Sequence, residues 1–314
     1  MIKNKNCENE MKDKDTKKSN ISNFYAPDEA SLILEGGAMR ALFEAGVLDA
    51  FLEKGLHFKK MTATSAGAMQ AICYLAEQKG RSVRINTTYC NDPRYMGFRH
   101  LWKEKNYFNF NFMFGELTYE LDPIDVEALK NTETLLQVIV TNCLNGEAIY
   151  LSNKDYTTDE YMKVIEASSS IPLLSPPVEI GSVPYVDGGV GMPLVPLPHE
   201  LPFSSEKPVY ILTREFSYRK KEIPEAYKML MNLFWKKKYP DVLEAIYRIT
   251  QIYNEKAEML SELEAEGKVF VIRPEEPVTV KRAETNPDKI RHLHGEGYRI
   301  GIKRFNELMR WIYE

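Results

Sequence analysis

Three short stretches of the sequence contain residue types that together could perform nucleophilic catalysis. They are EGGAMR at residues 35–40, a serine at position 65 in TATSAGA, and an aspartate at position 187 in VDGG. A serine hydroxyl is a poor nucleophile until a positioned base accepts its proton. An aspartate has an ordinary pKa of about 3.9, so it is ionised and available as a base at neutral pH. Ser65 and Asp187 are therefore a candidate nucleophile and base for ester hydrolysis.

The surroundings of Ser65 resemble a nucleophile elbow, the strained strand-to-helix turn with the pattern Gly-x-Ser-x-Gly. Gly67 keeps the second glycine, whereas Ala63 stands in place of the first. One extra methyl group in a tightly packed place costs about 1–3 kcal/mol and leaves the hydroxyl untouched. Serine is also a common residue at the start of a helix, so the motif alone fits an ordinary helix N-terminus as well.

The glycine-rich stretch lies where a strand is expected to give way to a helix. Backbone N–H groups at a helix N-terminus lack partners within the helix, and the helix dipole reinforces them. Gly36 and Gly37 would let these donors approach an anion or a developing oxyanion closely. A nucleotide pyrophosphate is the weaker alternative, because a dinucleotide-binding fingerprint needs glycine where Ala38 and Ala41 stand.

Asp187 precedes Gly188 and Gly189, and Asp-Gly is among the commonest turn dipeptides. A structural turn is therefore one interpretation of this stretch. In the other, Asp187 accepts the proton of Ser65. Because a carboxylate is a weak base, such a pair must depend strongly on oxyanion stabilisation, which is worth about 3–4 kcal/mol per donor.

The elements around these residues predict a mostly parallel sheet covered by helices. Residues 31–34, 58–64, 135–141 and 208–213 have the apolar character of buried strands, and helical patterns follow the first two. A strand–helix–strand–helix start of this kind is typical of α/β folds. The Asn145-Gly146 pair predicts a hairpin, and Asp122-Pro123 predicts the start of a short helix. Alternating phenylalanines and asparagines at residues 98–114 predict an edge strand or an extended loop, which either faces the core or forms an acyl-chain wall or lid.

The second half of the chain changes in character from about residue 216. Amphipathic helices are expected at residues 224–237, 240–265 and 288–313, with one strand at 268–272. We expect a flexible charged tail at residues 1–27, an α/β domain at 28–215, and a mainly helical region at 216–314 packed against it.

Composition excludes several classes of function. The 314 residues carry a net charge of −4 without a clustered basic stripe, which argues against nucleic-acid binding. The four cysteines form no Cys-x-x-Cys pair, and His292 and His294 have no third ligand at a suitable spacing, so no metal or other cofactor is expected. No signal peptide or membrane-spanning run is evident, which indicates a cytoplasmic protein with at most transient contact with a membrane surface.

The order of the three motifs resembles that of the patatin-like phospholipase family, in particular its bacterial branch. NDPRYMGFRHL, ASSSIPLLSPPVEI leading into YVDGGV, TREF and GKVFVIRP are also similar to that branch, and the resemblance covers roughly residues 30–310. It implies a three-layer α/β/α fold and a Ser–Asp dyad that hydrolyses lipid acyl esters without metal or histidine. The residues that match the family's site are Ser65 as nucleophile, Asp187 as general base, Gly36, Gly37, Ala38 and Arg40 as the oxyanion-hole turn, and Ala63, Gly67, Gly188 and Gly189 as support for the elbow and turn.

Alternative functions follow from departures from that pattern. The family usually has glycine where Ala63 and Ala41 stand, so a lipid- or acyl-binding protein with impaired turnover is one alternative. An esterase or thioesterase acting on non-lipid substrates is another. A Ser-His-Asp triad is the lesser interpretation, because His199, His292 and His294 do not lie in loops typical of a catalytic site. The oligomeric state is not readable from the sequence.

Overall fold

The computed structural model of the chain describes residues 24–103 and 106–314, so most of the tail expected at residues 1–27 lies outside the described residues. The strands are β1 (Phe24–Tyr25), β2 (Ala30–Leu34), β3 (Leu56–His57), β4 (Lys60–Thr64), β5 (Leu135–Asn142), β6 (Ala148–Ser152), β7 (Val178–Ile180), β8 (Val183–Asp187), β9 (Lys207–Ile211) and β10 (Phe270–Ile272). The helices are α1 (Leu42–Glu53), α2 (Ala66–Leu75), α3 (Arg81–Tyr89), α4 (Phe98–Lys103), α5 (Val126–Asn131), α6 (Thr158–Ser168), α7 (Gly188–Gly191), α8 (Glu225–Trp235), α9 (Pro240–Ala265) and α10 (Pro287–Tyr313).

The main sheet has the strand order β10-β9-β2-β4-β5-β8-β7, and β6 also pairs with β5. The strands from β10 to β5 are parallel to one another, whereas β6 and β8 run antiparallel to β5. This confirms the predicted mostly parallel sheet. Thr64 pairs with Ile139, and the next residue of β5, Val140, pairs with Asp187. The register therefore brings the ends of β4 and β8 to the same edge of the sheet.

Successive side chains of a strand point to opposite sides of the sheet, so a buried strand needs an apolar layer on each side. Helices supply these layers on both faces. Leu32 and Leu34 pack in the larger core, which includes residues of α1 and α10. Ile33 and Tyr210 point the other way and pack with Tyr253 of α9. The result is the three-layer α/β/α arrangement that the resemblance implies.

The C-terminal region is built into this core. It supplies β10 at the edge of the sheet, and α10 lies directly against α1. A Cβ atom on Gly46 would lie 2.0 Å from the carbonyl oxygen of His294, and one on Gly297 would lie 2.0 Å from that of Phe43. Glycine at these two positions lets the backbones of the two helices touch.

Two local expectations are wrong. Residues 98–114 do not form an edge strand: α4 is followed by an isolated bridge between Met96 and Phe108 and then by a π-helical segment, Phe112–Leu121, with a kink at Gly115. The aromatic side chains line a cavity. Phe110 and Phe114 lie one helical turn apart in its wall, and their ring centroids are 5.6 Å apart.

The start of the short helix near residue 122 is also displaced. Asp122 does not cap it, because its carboxylate is held by Arg81 and Arg84. Asp125 caps α5 instead and accepts a hydrogen bond from the N–H of Ala128 at 2.9 Å. In the described ranges no helix combines the length and the apolar character that crossing a bilayer would require.

Candidate active site

Ser65 lies at the turn between β4 and α2 with a left-handed backbone conformation, φ 54° and ψ −129°. Such a conformation is strained in a residue with a side chain and is a feature of nucleophile elbows. The hydroxyl of Ser65 makes no capping hydrogen bond to α2. It lines the same cleft as the carboxylate of Asp187 and lowers the pKa of that carboxyl. Ser65 therefore occupies the N-cap position of α2 without capping the helix through its side chain.

The glycine turn lies directly against this elbow. A Cβ atom on Gly36 would lie 2.7 Å from the Cβ atom of Ser65, and one on Gly67 would lie 2.4 Å from the carbonyl oxygen of Glu35. No side chain fits at either position without displacing the backbone. Ala63, in contrast, points into the core and is fully buried, which shows how the fold accommodates its methyl group.

Backbone donors of the turn face the same cleft as Ser65. Gly37 and Ala38 line this cleft, and Ala38 also has a left-handed backbone, with φ 51°. The next two N–H groups are engaged: that of Met39 donates to the carbonyl of Arg282 at 3.3 Å, and that of Arg40 donates to the carbonyl of Gly37 at 3.2 Å. Within the part of the chain that the structure describes, the N–H groups of Gly37 and Ala38 have no acceptor. They are available to stabilise an oxyanion.

The side chain of Arg40 also contacts the glycine turn. Its Nε donates to the carbonyl oxygen of Gly37 at 3.3 Å. Burial, and then the neighbouring charges of Arg214 and Arg282, lower the pKa of Arg40 to about 10. Arg40 therefore stays protonated at neutral pH, in a place where positive charge is already crowded.

Asp187 ends β8 and is buried beside Ser65. Its Oδ1 accepts a hydrogen bond from the N–H of Gly189 at 2.8 Å. Burial raises the pKa of Asp187 above its ordinary value, and the hydrogen bond from Ser65 opposes this rise. A Cβ atom on Gly188 would lie 2.2 Å from the carbonyl oxygen of Ile139, so this glycine lets the turn pack on β5. A raised pKa makes the carboxylate a stronger base than a solvated aspartate.

The end of α6 holds both residues in place, a feature that the sequence motifs do not identify. The N–H of Ser65 donates to the hydroxyl oxygen of Ser168 at 2.8 Å, and this hydroxyl donates to the carbonyl of Ile139 at 2.6 Å. The N–H of Asp187 donates to the carbonyl of Ser170 at 2.9 Å. The only sequence signal is the run of three serines at 168–170 before a proline-broken segment.

Two cavities of different character meet at Ser65, which lines both together with Ala38 and Ile171. The first has a volume of about 110 Å³, and its walls include Phe110, Met113 and Leu117. The second is a cleft of about 330 Å³ whose walls include several cationic side chains. A substrate with an apolar part and a polar part would place the bond between them next to Ser65.

The described residues contain no competing catalytic or metal-binding arrangement at this site. No histidine of these residues lines either cavity, and His294 instead pairs with Asp49 at 2.8 Å, against α1. Groups of three or more potential metal ligands are absent from the same ranges.

Comparisons with known proteins identify a family and two similar proteins. The sequence model of a family described as patatin-like phospholipase matches residues 32–198, and a domain of unknown function (DUF6363) matches residues 239–313. The uncharacterized protein YjjU of Escherichia coli (strain K12) is 27% identical over 179 residues, which are 53% of this chain and 47% of that protein. The match thus spans about half the length of this curated relative. The crystal structure of VipD from Legionella pneumophila aligns with a TM-score of 0.46 and 14% identity, over 91% of this chain and 67% of that chain.

Proposed function

This chain belongs to the patatin-like phospholipase family, and from that premise we propose that it is a serine acyl hydrolase that cleaves lipid acyl esters. Ser65 is the nucleophile and Asp187 the general base. The observation that carries the proposal is the position of Ser65, held on a strained elbow, in the same cleft as the buried carboxylate of Asp187, whose pKa the serine hydroxyl lowers.

The reaction proceeds through an acyl-enzyme. Oγ of Ser65 attacks the ester carbonyl carbon while Asp187 accepts the hydroxyl proton, and the N–H groups of Gly37 and Ala38 bind the oxyanion. When the intermediate collapses, the proton passes from Asp187 to the leaving alcohol. Water then attacks the acyl-enzyme with Asp187 again as base, which releases the fatty acid and restores Ser65.

The two cavities support an amphiphilic substrate. The apolar cavity, with Phe110 and Met113 in its wall, is suited to an acyl chain, and the polar cleft is suited to the alcohol part of the ester. Long-chain esters are therefore expected to have a higher kcat/KM than acetate esters of the same alcohol.

Fluorophosphonate labelling and ester hydrolysis test the proposal together. Wild-type protein should be labelled and active, whereas Ser65→Ala should abolish both and Asp187→Asn should lower kcat by at least about 1,000-fold, as expected for loss of a base that acts with a nucleophile. Ser261→Ala is a matched control, because this hydroxyl bonds only to the carbonyl of Ala257 in α9. Labelling that survives Ser65→Ala would contradict the assignment of the nucleophile.

The same assay separates the alternatives. Lipid binding without turnover in the wild type would favour the impaired protein suggested by Ala63 and Ala41, and restored turnover in Ala63→Gly/Ala41→Gly would identify those alanines as the cause. Equal rates on long-chain and acetate esters would favour a non-lipid esterase.

A further inference from the structure

The cavity that Phe110 and Met113 line beside Ser65 also has a polar side, formed by α2 and α3. Five polar side chains of these two helices line it: Gln70 and Cys73 of α2, and Arg81, Ser82 and Asn86 of α3. Polar groups placed in an otherwise apolar cavity fix the orientation of a ligand and select it. The partners of these side chains therefore decide which ligand the cavity accepts.

The amide of Gln70 uses only part of its hydrogen-bonding capacity. The side chain is buried, with 4% exposed, and its Oε1 accepts a hydrogen bond from the hydroxyl of Ser82. Within the described residues Nε2 has no acceptor, and it is not among the atoms that the protein encloses completely. If the amide is rotated by half a turn, Nε2 faces Ser82 and Oε1 is left instead. In both orientations one polar end of the amide is open to the cavity.

Arg81 supplies a second donor on the same side. It is buried, and its charge is paired with Asp122, with 3.4 Å between Nε and a carboxylate oxygen. Its Nε and Nη2 also donate to the carbonyl oxygen of Asp122. In the described part of the chain Nη1 has only the sulfur of Cys73, at 3.5 Å, and a thiol is a weak acceptor. Arg84, which shares Asp122, is half exposed to solvent. Because the buried guanidinium charge is already paired, a neutral oxygen suits Nη1 better than an anion does.

Other polar groups of the cavity do not compete for this position. Nδ2 of Asn86 donates to the carbonyl of Ser82 at 2.9 Å, and its Oδ1 accepts from the hydroxyl of Tyr95 at 2.9 Å. The hydroxyl of Thr118 donates to the carbonyl of Met113 at 2.6 Å. The hydroxyl of Ser169 has no partner in the described ranges, but protein atoms enclose it completely. Gln70 and Arg81 are therefore the donors that a ligand in the cavity can reach.

The place of Gln70 in α2 indicates which part of a substrate it meets. Gln70 follows Ser65 by five positions, which corresponds to about 7–8 Å along the axis of α2. A zigzag of C–C bonds, each about 1.5 Å long, covers this distance in about six bonds. Counted from an ester carbonyl carbon at Ser65, an acyl chain reaches the polar side at about its seventh or eighth carbon.

We infer that Gln70 and Arg81 bind a hydroxyl group of the acyl chain, and that the preferred substrates are esters of fatty acids hydroxylated about seven or eight carbons from the ester. This rests on the proposed function, because it names the acyl part of the same ester. A hydroxyl both donates and accepts, so it satisfies either orientation of the Gln70 amide as well as Nη1 of Arg81. A site built to hydrogen-bond a hydroxyl discriminates against the analogue that lacks it, since its buried polar groups are then left unpaired.

Two esters that differ in one hydroxyl group test the inference. The kcat/KM is measured for para-nitrophenyl octanoate and para-nitrophenyl ω-hydroxyoctanoate, which share a leaving group and a chain length. The wild type should favour the hydroxylated ester by at least about ten-fold, as expected when a buried polar group gains its partner. Gln70→Leu/Ser82→Ala should remove this preference. Because it replaces both hydrogen-bonded partners by apolar side chains, it leaves neither of them unpaired in the folded protein.

Met69→Leu is the matched control. Met69 lines the same cavity from the neighbouring position of α2 and has no amide. This variant should change kcat/KM for both esters alike and keep their ratio. Equal kcat/KM for the two esters in the wild type would overturn the inference without any variant. An unchanged preference in Gln70→Leu/Ser82→Ala, with a Tm that shows a folded protein, would overturn the assignment to Gln70.

Binding to Ser65→Ala protein, measured by calorimetry, separates this inference from the proposed function because it needs no turnover. Methyl ω-hydroxyoctanoate should bind more tightly than methyl octanoate, and Gln70→Leu/Ser82→Ala in the same background should remove the difference. Equal binding of the two would overturn the hydroxyl site. Tighter binding of monomethyl octanedioate, which carries a carboxylate in place of the hydroxyl, would overturn the assignment of a neutral group. Failure of the wild type to hydrolyse either ester, with the binding preference intact, would overturn the hydrolase proposal alone.

Discussion

The backbone N–H of Ser65 donates a hydrogen bond to the hydroxyl of Ser168, with 2.8 Å between the nitrogen and the oxygen, although 103 positions separate them in the chain. The hydroxyl is oriented by its own bond to the carbonyl of Ile139. The strained elbow is thus held by the end of α6 and, through Ile139, by β5.

Replacing Ser168 by alanine should lower activity more than its distance from the reacting atoms suggests. The N–H of Ser65 would become a buried donor without a partner, which costs about 1–3 kcal/mol. The elbow would relax, and kcat should fall by about ten-fold or more with little change in KM, because the alignment of the nucleophile is lost. Steady-state kinetics and the Tm measure both effects, with Ser261→Ala as control. An unchanged kcat in a less stable protein would show that Ser168 serves the fold alone.

Two glycine-to-alanine substitutions should shift stability in opposite directions. In Gly67→Ala the new Cβ atom would approach the carbonyl oxygen of Glu35 to 2.4 Å, so we expect destabilisation by about 3 kcal/mol or more and loss of activity. Gly295, in contrast, is exposed in α10 with no atom near its Cβ position. Gly295→Ala should raise the free energy of unfolding by about 0.5–1 kcal/mol. Urea denaturation measures both, and a neutral Gly67→Ala would contradict the close approach.

As the pH is lowered, hydrolysis should be lost at a higher pH than expected for an enzyme whose general base is a solvent-exposed aspartate. Asp187 acts as a base only when it is ionised, and burial raises its pKa above 3.8. Activity should therefore rise with pH through that raised pKa, and the acidic limb of kcat/KM reports it for the free enzyme. Because the folded state binds the proton more tightly than the unfolded state, ionisation of Asp187 lowers stability as the pH rises. Asp187→Asn should consequently have a higher Tm than the wild type at pH 7 while it is inactive. An equal or lower Tm would contradict the unfavourable burial of this charge.

Periodicity and turn residues predicted most of the elements on which the site is built. α9 occupies residues 240–265, as expected, and β4 ends at Thr64, directly before Ser65, as the predicted strand 58–64 does. These signals are local: apolar side chains at regular spacing and a proline or glycine at an element's end. The structure also brings Ser65 and Asp187 together, which the order of the motifs only suggested.

Contacts between distant parts of the chain were not readable from the sequence. Nothing distinguishes Ser168 from the two serines that follow it, because its role depends on where α6 ends against β5. Asp122 had the local features of a helix cap, yet tertiary ion pairs with Arg81 and Arg84 outweigh them. The phenylalanines near residue 110 alternate with the period of a strand. In the structure they line a cavity from a helical segment, which the alternation does not predict.

Because α10 packs on α1, the glycine turn of the site lacks part of its support until the C-terminal region has been synthesised. α1 directly follows the glycine turn, and its backbone touches α10 at Gly46 and Gly297. The N–H of Met39 in that turn donates to the carbonyl of Arg282, which is translated much later. A growing chain on the ribosome that has not released residues 282–313 lacks these supports. We therefore expect the site to assemble only after residues 282–313 have been synthesised and have folded against α1.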